Sequence, residues 1–100
     1  MRTKRLIAAL EELDGPLTFG VCLRAARTRK DMSQTDMAKF IGMSKSTLCD
    51  IEKGRQFVTP ALAARIAKKC GLSQVVAVEA SLNDQLRRAG LKFTIAVKAA

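Results

Sequence analysis

One hundred residues, 48% hydrophobic but with four Phe as the whole aromatic complement, make one domain with a modest core. Helices packed on small side chains fit that composition better than a β-sandwich. Eighteen Lys and Arg against nine Asp and Glu leave a net charge of +9, and residues 16–70 hold eleven of the basic and four of the acidic side chains. A polyanion is the natural partner for such a chain, and nucleic acid before a membrane. The three cysteines, Cys22, Cys49 and Cys70, have no C-x-x-C spacing, and there is no His, which argues against a zinc site or a disulfide framework.

In chain order, residues 3–13 predict a short helix with Leu6, Ala9, Leu10 and Leu13 on one stripe. Its basic start and acidic end oppose the helix dipole, so a strand around Arg5–Leu10 competes. The acids at Glu11, Glu12 and Asp14 fall where a signal peptide is apolar and small, and no apolar run reaches the ~18 residues of a membrane span. A cytoplasmic location is therefore expected, with no membrane partner. Asp14-Gly15-Pro16 breaks the chain. Thr18 then caps a helix from about Phe19 to Lys30, with Leu23 and Ala26 inward and Phe19 and Cys22 beside them.

Ser33 to Gly54, SQTDMAKFIGMSKSTLCDIEKG, reads as helix, turn, helix. Ser33 caps the first helix, with Asp36 as a short-armed capping-box partner and Met32 and Met37 as a hydrophobic staple. Met37, Ala38 and Ile41 form its inner stripe, and Gly42 suits a left-handed stop. Ser44 caps the second helix, with Met43 and Leu48 as the apolar pair around it, and Gly54 closes it. Leu48 and Ile51 point one way on that helix, while Ser46, Cys49, Asp50 and Lys53 point the other with Lys45 on the flank. Two apolar anchors hold the helix down, and the rest of its surface is small, polar and free to enter a groove.

Beyond the irregular RQFV comes Thr59-Pro60, an N-cap followed by Pro at the first helical position. Leu62, Ala63, Ile66, Ala67 and Cys70 are the stripe of that helix, which Gly71 ends. Ser73 caps a fifth helix reaching about Arg88, where Val75, Val78, Leu82 and Leu86 recur at three and four. After Gly90, Phe93, Ile95 and Val97 alternate with Lys92, Thr94 and Lys98, the pattern of a strand. A lone strand needs a partner for its backbone. A second copy of the chain, the N-terminal segment or a toxin-like protein would each supply one; a frayed tail is the alternative reading.

The block from Leu23 to Leu72 resembles the Cro/C1-type helix-turn-helix family of phage and bacterial repressors. The resemblance rests on Leu23 and Arg27, then MSQTDMAKFIGMSKSTLCDIEKGR, then the Ala/Leu/Ile helix ending in KKCGL. It implies an all-α, five-helix, lambda-repressor-like fold, here with an N-terminal extension over 1–15, a DNA-binding unit over 16–72, and a helix and β-strand tail over 73–100. It also implies roles. Arg27 and Glu52 would form a structural ion pair tying the preceding helix to the recognition helix. Ser44, Lys45, Ser46 and Asp50 stand at the base-reading positions, and Gln34 at that of a Gln that bonds a phosphate and braces the recognition helix. Thr47, Lys53 and Arg55, with Gln56 beside them, are further phosphate candidates, and Lys39 and Arg24 lie at the rim. An acid at Asp50, where the family often has an amide, can accept from a cytosine amine or simply pair with Lys53.

The function expected is that of a transcriptional repressor binding a palindromic operator in double-stranded DNA as a homodimer, without cofactor or metal. Half-sites about 34 Å apart would match two such helices, and the fifth helix and the tail are the candidate dimer surface. An antitoxin whose tail binds a toxin protein while its helix-turn-helix represses its own operon is the alternative, and a sequence-independent nucleic-acid binder is a third. Without His, a nucleophile beside a base, or a Gly-rich phosphate loop, an enzyme has no foothold.

Overall fold

A computed structural model describes residues 16–100 and contains five helices: α1 Phe19–Arg29, α2 Gln34–Ile41, α3 Lys45–Glu52, α4 Pro60–Cys70 and α5 Gln74–Arg88. The expected helix over 3–13, and the competing strand, lie outside the described residues. Every helix starts on a hydroxyl that satisfies one of the orphan amides of its first turn. Thr18, Ser33, Ser44, Thr59 and Ser73 accept from the backbone N–H three residues on, at 3.0 to 3.2 Å. In α2 the box is complete: the Ser33 hydroxyl accepts from Asp36 N–H and the Asp36 carboxylate accepts from Ser33 N–H. Gly42 ends α2 in the left-handed region at φ 78°, which turns the chain into α3 within three residues.

Phe19, Leu23, Met37, Leu48, Ile51 and Ile66 are the largest apolar side chains of the single core, with small Ala26, Ala38, Ala63, Ala67, Ala77 and Ala80 between them. The small residues let helices approach closely, and α4 and α5 pack on each other more extensively than any other pair. On α5 it is Ala77, Ala80 and Ser81 that are buried. The stripe of Val75, Val78, Leu82 and Leu86 is only half-buried and stands outside the core cluster.

One contact from α5 fixes a distant part of the chain. Asp84 accepts from the N–H of Phe19 at 3.0 Å, so a carboxylate from the last helix caps the first turn of α1. Burial pushes the Asp84 carboxyl above its usual value, more than the bond from Phe19 and the Arg87 guanidinium at 2.6 Å pull it down.

The expected C-terminal strand is not formed: no strand occurs among the described residues, and 91–100 is irregular. The alternation of Phe93, Ile95 and Val97 meets no second strand. Instead the tail lies along α5, whose side chains take over the role of a ladder. Asn83 gives its amide N–H to the Ile95 carbonyl at 3.1 Å and accepts from the Ile95 N–H at 2.7 Å, and Glu79 accepts from Val97 N–H at 3.0 Å. Phe93, Leu91 and Ile95 stay exposed.

Candidate nucleic-acid interface

Leu48, with no exposed surface, and Ile51 seat α3 in the core, as two apolar anchors at i and i+3 must. The opposite side of the helix projects outward. Ser44, Lys45 and Ser46 are exposed, Asp50 keeps 38% of its side chain in solvent, and Lys53 and Arg55 are exposed just beyond it. Neither Ser46 nor Asp50 is sealed against another helix.

Not all of these side chains are unengaged. The Ser44 hydroxyl accepts from Thr47 N–H at 3.1 Å and donates to Thr47 Oγ1 at 2.9 Å, so both residues are held by the start of α3. Asp50 is paired with Arg55 at 3.6 Å, not with Lys53. Its backbone carbonyl also accepts from the N–H groups of Arg55 at 2.8 Å and Gln56 at 3.2 Å. The turn after α3 therefore folds back on the helix and presents Arg55 beside its last turn.

Behind this face lies a polar hub. Glu52, with 4% of its side chain exposed, accepts from Arg27 Nε at 2.9 Å and Nη2 at 3.2 Å, and from Gln34 Nε2 at 3.2 Å. Arg27 gives its remaining nitrogen to the Met32 carbonyl at 3.2 Å, and its guanidinium is pushed up by the bond to Glu52. Cys49 Sγ donates to Gln34 Oε1 at 3.0 Å. Thus α1, the start of α2 and the end of α3 share one hydrogen-bonded cluster, and every buried side-chain N and O among the described residues has a partner. The Arg27–Glu52 pair is present, and Gln34 braces α3 with both ends of its amide.

Gly20 is a site residue that patterning misses. A Cβ on it would lie 2.3 Å from the Ile51 carbonyl oxygen and 2.8 Å from that of Glu52. Glycine here lets α1 press against the backbone at the end of α3. An isolated Gly in a helical pattern is the signal that would have found it. Asp84 is missed for another reason: its contact with Phe19 spans 65 residues of sequence.

Among the described residues no three His, Cys, Asp or Glu side chains gather as a metal site, and no helix is long and apolar enough to cross a membrane. The thiols of Cys22 and Cys70 are buried and raised by that burial, Cys22 to about 11, so neither offers a thiolate near neutral pH.

Residues 18–80 match the family model described as a helix-turn-helix domain. The chain is 42% identical over 55 residues to the ImmF control region 10 kDa protein of Bacillus phage phi105, a stretch that is 55% of this chain and 60% of that protein. The match thus spans less than two thirds of that relative. Among solved structures, the clp gene regulator ClgR from Corynebacterium glutamicum superposes with a TM-score of 0.53 at 27% identity, over 72% of this chain and 78% of that one.

Proposed function

The chain belongs to the Cro/C1-like helix-turn-helix family of DNA-binding regulators, and on that premise we propose that it is a repressor that reads a palindromic operator as a homodimer. The observation that carries this reading is α3 itself: anchored by Leu48 and Ile51, braced from behind through Glu52, and polar where it faces outward. Lys45 and Ser46 are the base readers, Lys45 donating to guanine O6 and N7. Ser44 serves mainly as the cap, with its oxygen still open to a base edge. Asp50 takes part either by accepting from a cytosine amine or by steering Arg55, its partner at 3.6 Å.

Phosphate contacts set the register. They fall to Arg55 and Lys53 on one side and to the start of α2 on the other. There Gln34 has one amide hydrogen committed to Glu52. The other hydrogen and the backbone N–H groups of Gln34 and Thr35 remain for the anion, that of Asp36 being held by Ser33. Thr47 contributes from the first turn of α3. Residues 16–72 carry this recognition.

Self-association falls to residues 73–100. Support comes from the half-buried stripe Val75, Val78, Leu82 and Leu86, which lies on the side of α5 away from Ala77, Ala80 and Ser81. The names of the two relatives, a phage control-region protein and a gene regulator, agree with a regulatory role.

The test is selection from a pool of random duplexes by the full chain. Enrichment of an inverted repeat with half-sites about one helical turn apart supports the proposal. Enrichment of no motif, with affinity set by salt alone, would leave a sequence-independent binder in its place.

A further inference from the structure

We propose that two copies of the chain pair by inserting Phe93 of each into a hollow beside the same residue on the other. This pairing rests on the self-association proposed for residues 73–100 and names its anchor. Phe93 is the most exposed large apolar side chain among the described residues, at 67%. It stands on an arch pinned at both ends. Leu91 N–H bonds the Leu86 carbonyl at 3.0 Å, and Asn83 holds the N–H and the carbonyl of Ile95 at 2.7 and 3.1 Å. Glu79 accepts from Val97 N–H just beyond. The ring is thus carried by backbone that is already ordered, and its burial avoids much of the entropy cost that a loose tail would add.

Beneath the arch lies a hollow of about 540 Å³, between α5 and the approach to α1. Its apolar walls are open to a visitor: Pro16 and Leu91 are exposed, and Leu17 and Val76 are half-buried. Pockets of about 300–1,000 Å³ seat whole ligands, so there is room for a phenyl ring. The polar wall is largely committed, Asn83 and Glu79 to the tail and Arg87 to Asp84. Lys92 and Thr94 are its only polar side chains without a bond among the described residues, so the hollow suits an apolar visitor better than a charged one. Position selects a second copy as that visitor. In a two-fold pair a patch meets itself, so knob and socket must lie in one patch. Phe93 lines the rim of this hollow. An axis passing beside the arch therefore puts each ring into the other's socket. On α5, Val75 of the half-buried stripe is the neighbour of Val76 in the socket, so one interface can take in both.

Sedimentation velocity on the full chain without DNA, over a concentration series, provides the test. Phe93→Ala removes both knobs of a pair and Val76→Glu places a charge in both sockets, so each variant alone should raise the dimer Kd about a hundredfold. Mixed in equal amounts, the two should dimerise with a Kd only about tenfold above that of the unaltered chain, because the rings of one still find open sockets on the other. Circular dichroism checks that the helices persist, and Pro16→Trp at the exposed rim takes the place of Val76→Glu should that change unfold the chain. A dimer that Phe93→Ala leaves intact, or a mixture no tighter than its components, would overturn the pairing of ring and socket while the homodimer stands. A chain that stays monomeric at every concentration would remove the homodimer itself, and the pairing with it.

Discussion

Replacing Gly20 with Ala adds one methyl group where α1 meets the end of α3. That methyl carbon would sit 2.3 Å from the Ile51 oxygen, about 1.1 Å short of an ordinary 3.4 Å contact, with the Glu52 oxygen at 2.8 Å behind it. Neither neighbour is a side chain that can swing aside. The Ile51 carbonyl accepts from Gly54 N–H at 3.1 Å, and Glu52 is fixed by Arg27 and Gln34. The helices must separate, or the last turn of α3 must shift. Overpacking of this kind costs about 1–3 kcal/mol and more where backbone is involved. Against it stands the better helix propensity of Ala, at most about 1 kcal/mol and less near a helix start. The steric cost wins, for a net loss of about 1–2 kcal/mol, which lowers Tm by roughly 5–15 °C in a domain of this size. Because the displaced turn holds Glu52 and adjoins Asp50, duplex affinity should fall by about tenfold, or 1.4 kcal/mol. Differential scanning calorimetry and duplex titration at fixed salt read the two effects. A Tm that rises, as helix propensity alone predicts, with DNA binding intact would refute the reasoning.

Other outcomes follow from the same geometry. Glu52→Ala strands the Arg27 guanidinium and should cost about 3 kcal/mol in urea unfolding, whereas Arg27→Ala/Glu52→Ala should cost less than the sum of the single losses; strict additivity would mean that the pair is not coupled. Lys45→Ala should cost about 1–3 kcal/mol of duplex affinity and relax the preference at one base pair, while Arg55→Ala should weaken binding to specific and scrambled duplexes alike. Equal losses on both duplexes for both variants would refute that division of roles. The Asp84 carboxyl is raised on folding by burial, so the folded state holds its proton more tightly than the unfolded one. Its share of stability therefore falls as pH rises from the usual carboxylate value, about 3.9, through the raised one. Asp84→Asn should flatten that dependence in unfolding curves taken between about pH 4 and 7, and an unchanged slope would count against it. A thiol reagent should label Cys49 alone in the folded chain and all three cysteines in denaturant.

Much of the fold is legible because its punctuation is local. Thr18, Ser33, Ser44, Thr59 and Ser73 declare helix starts within three residues of their partners, and Gly42 declares a stop. The candidate interface is legible for a related reason: Leu48 and Ile51 leave the other side of α3 a single direction to face. What fails to show depends on distance or on choice. Phe93, Ile95 and Val97 alternate like a strand, but a ladder needs a second chain segment, and Asn83 and Glu79 supply its hydrogen bonds from a helix instead. On α5 two stripes compete. The more apolar one, Val75 through Leu86, stays outside the core cluster, because close packing on α4 and α1 selects the smaller Ala77, Ala80 and Ser81. Hydrophobicity alone ranks those stripes the wrong way round. The Gly20 approach escapes patterning for a different reason, since it is a contact between backbones and leaves no trace in side-chain periodicity.

The clasp of Arg27 and Gln34 on Glu52 bears on how the chain would meet its target. With three donors on one carboxylate, α3 has its tilt set within the free chain, before any encounter. An arrangement fixed in advance would add little conformational penalty to Kd. Variation among targets would then appear in how long the complex lasts, while the speed of arrival follows the excess positive charge and the salt around it.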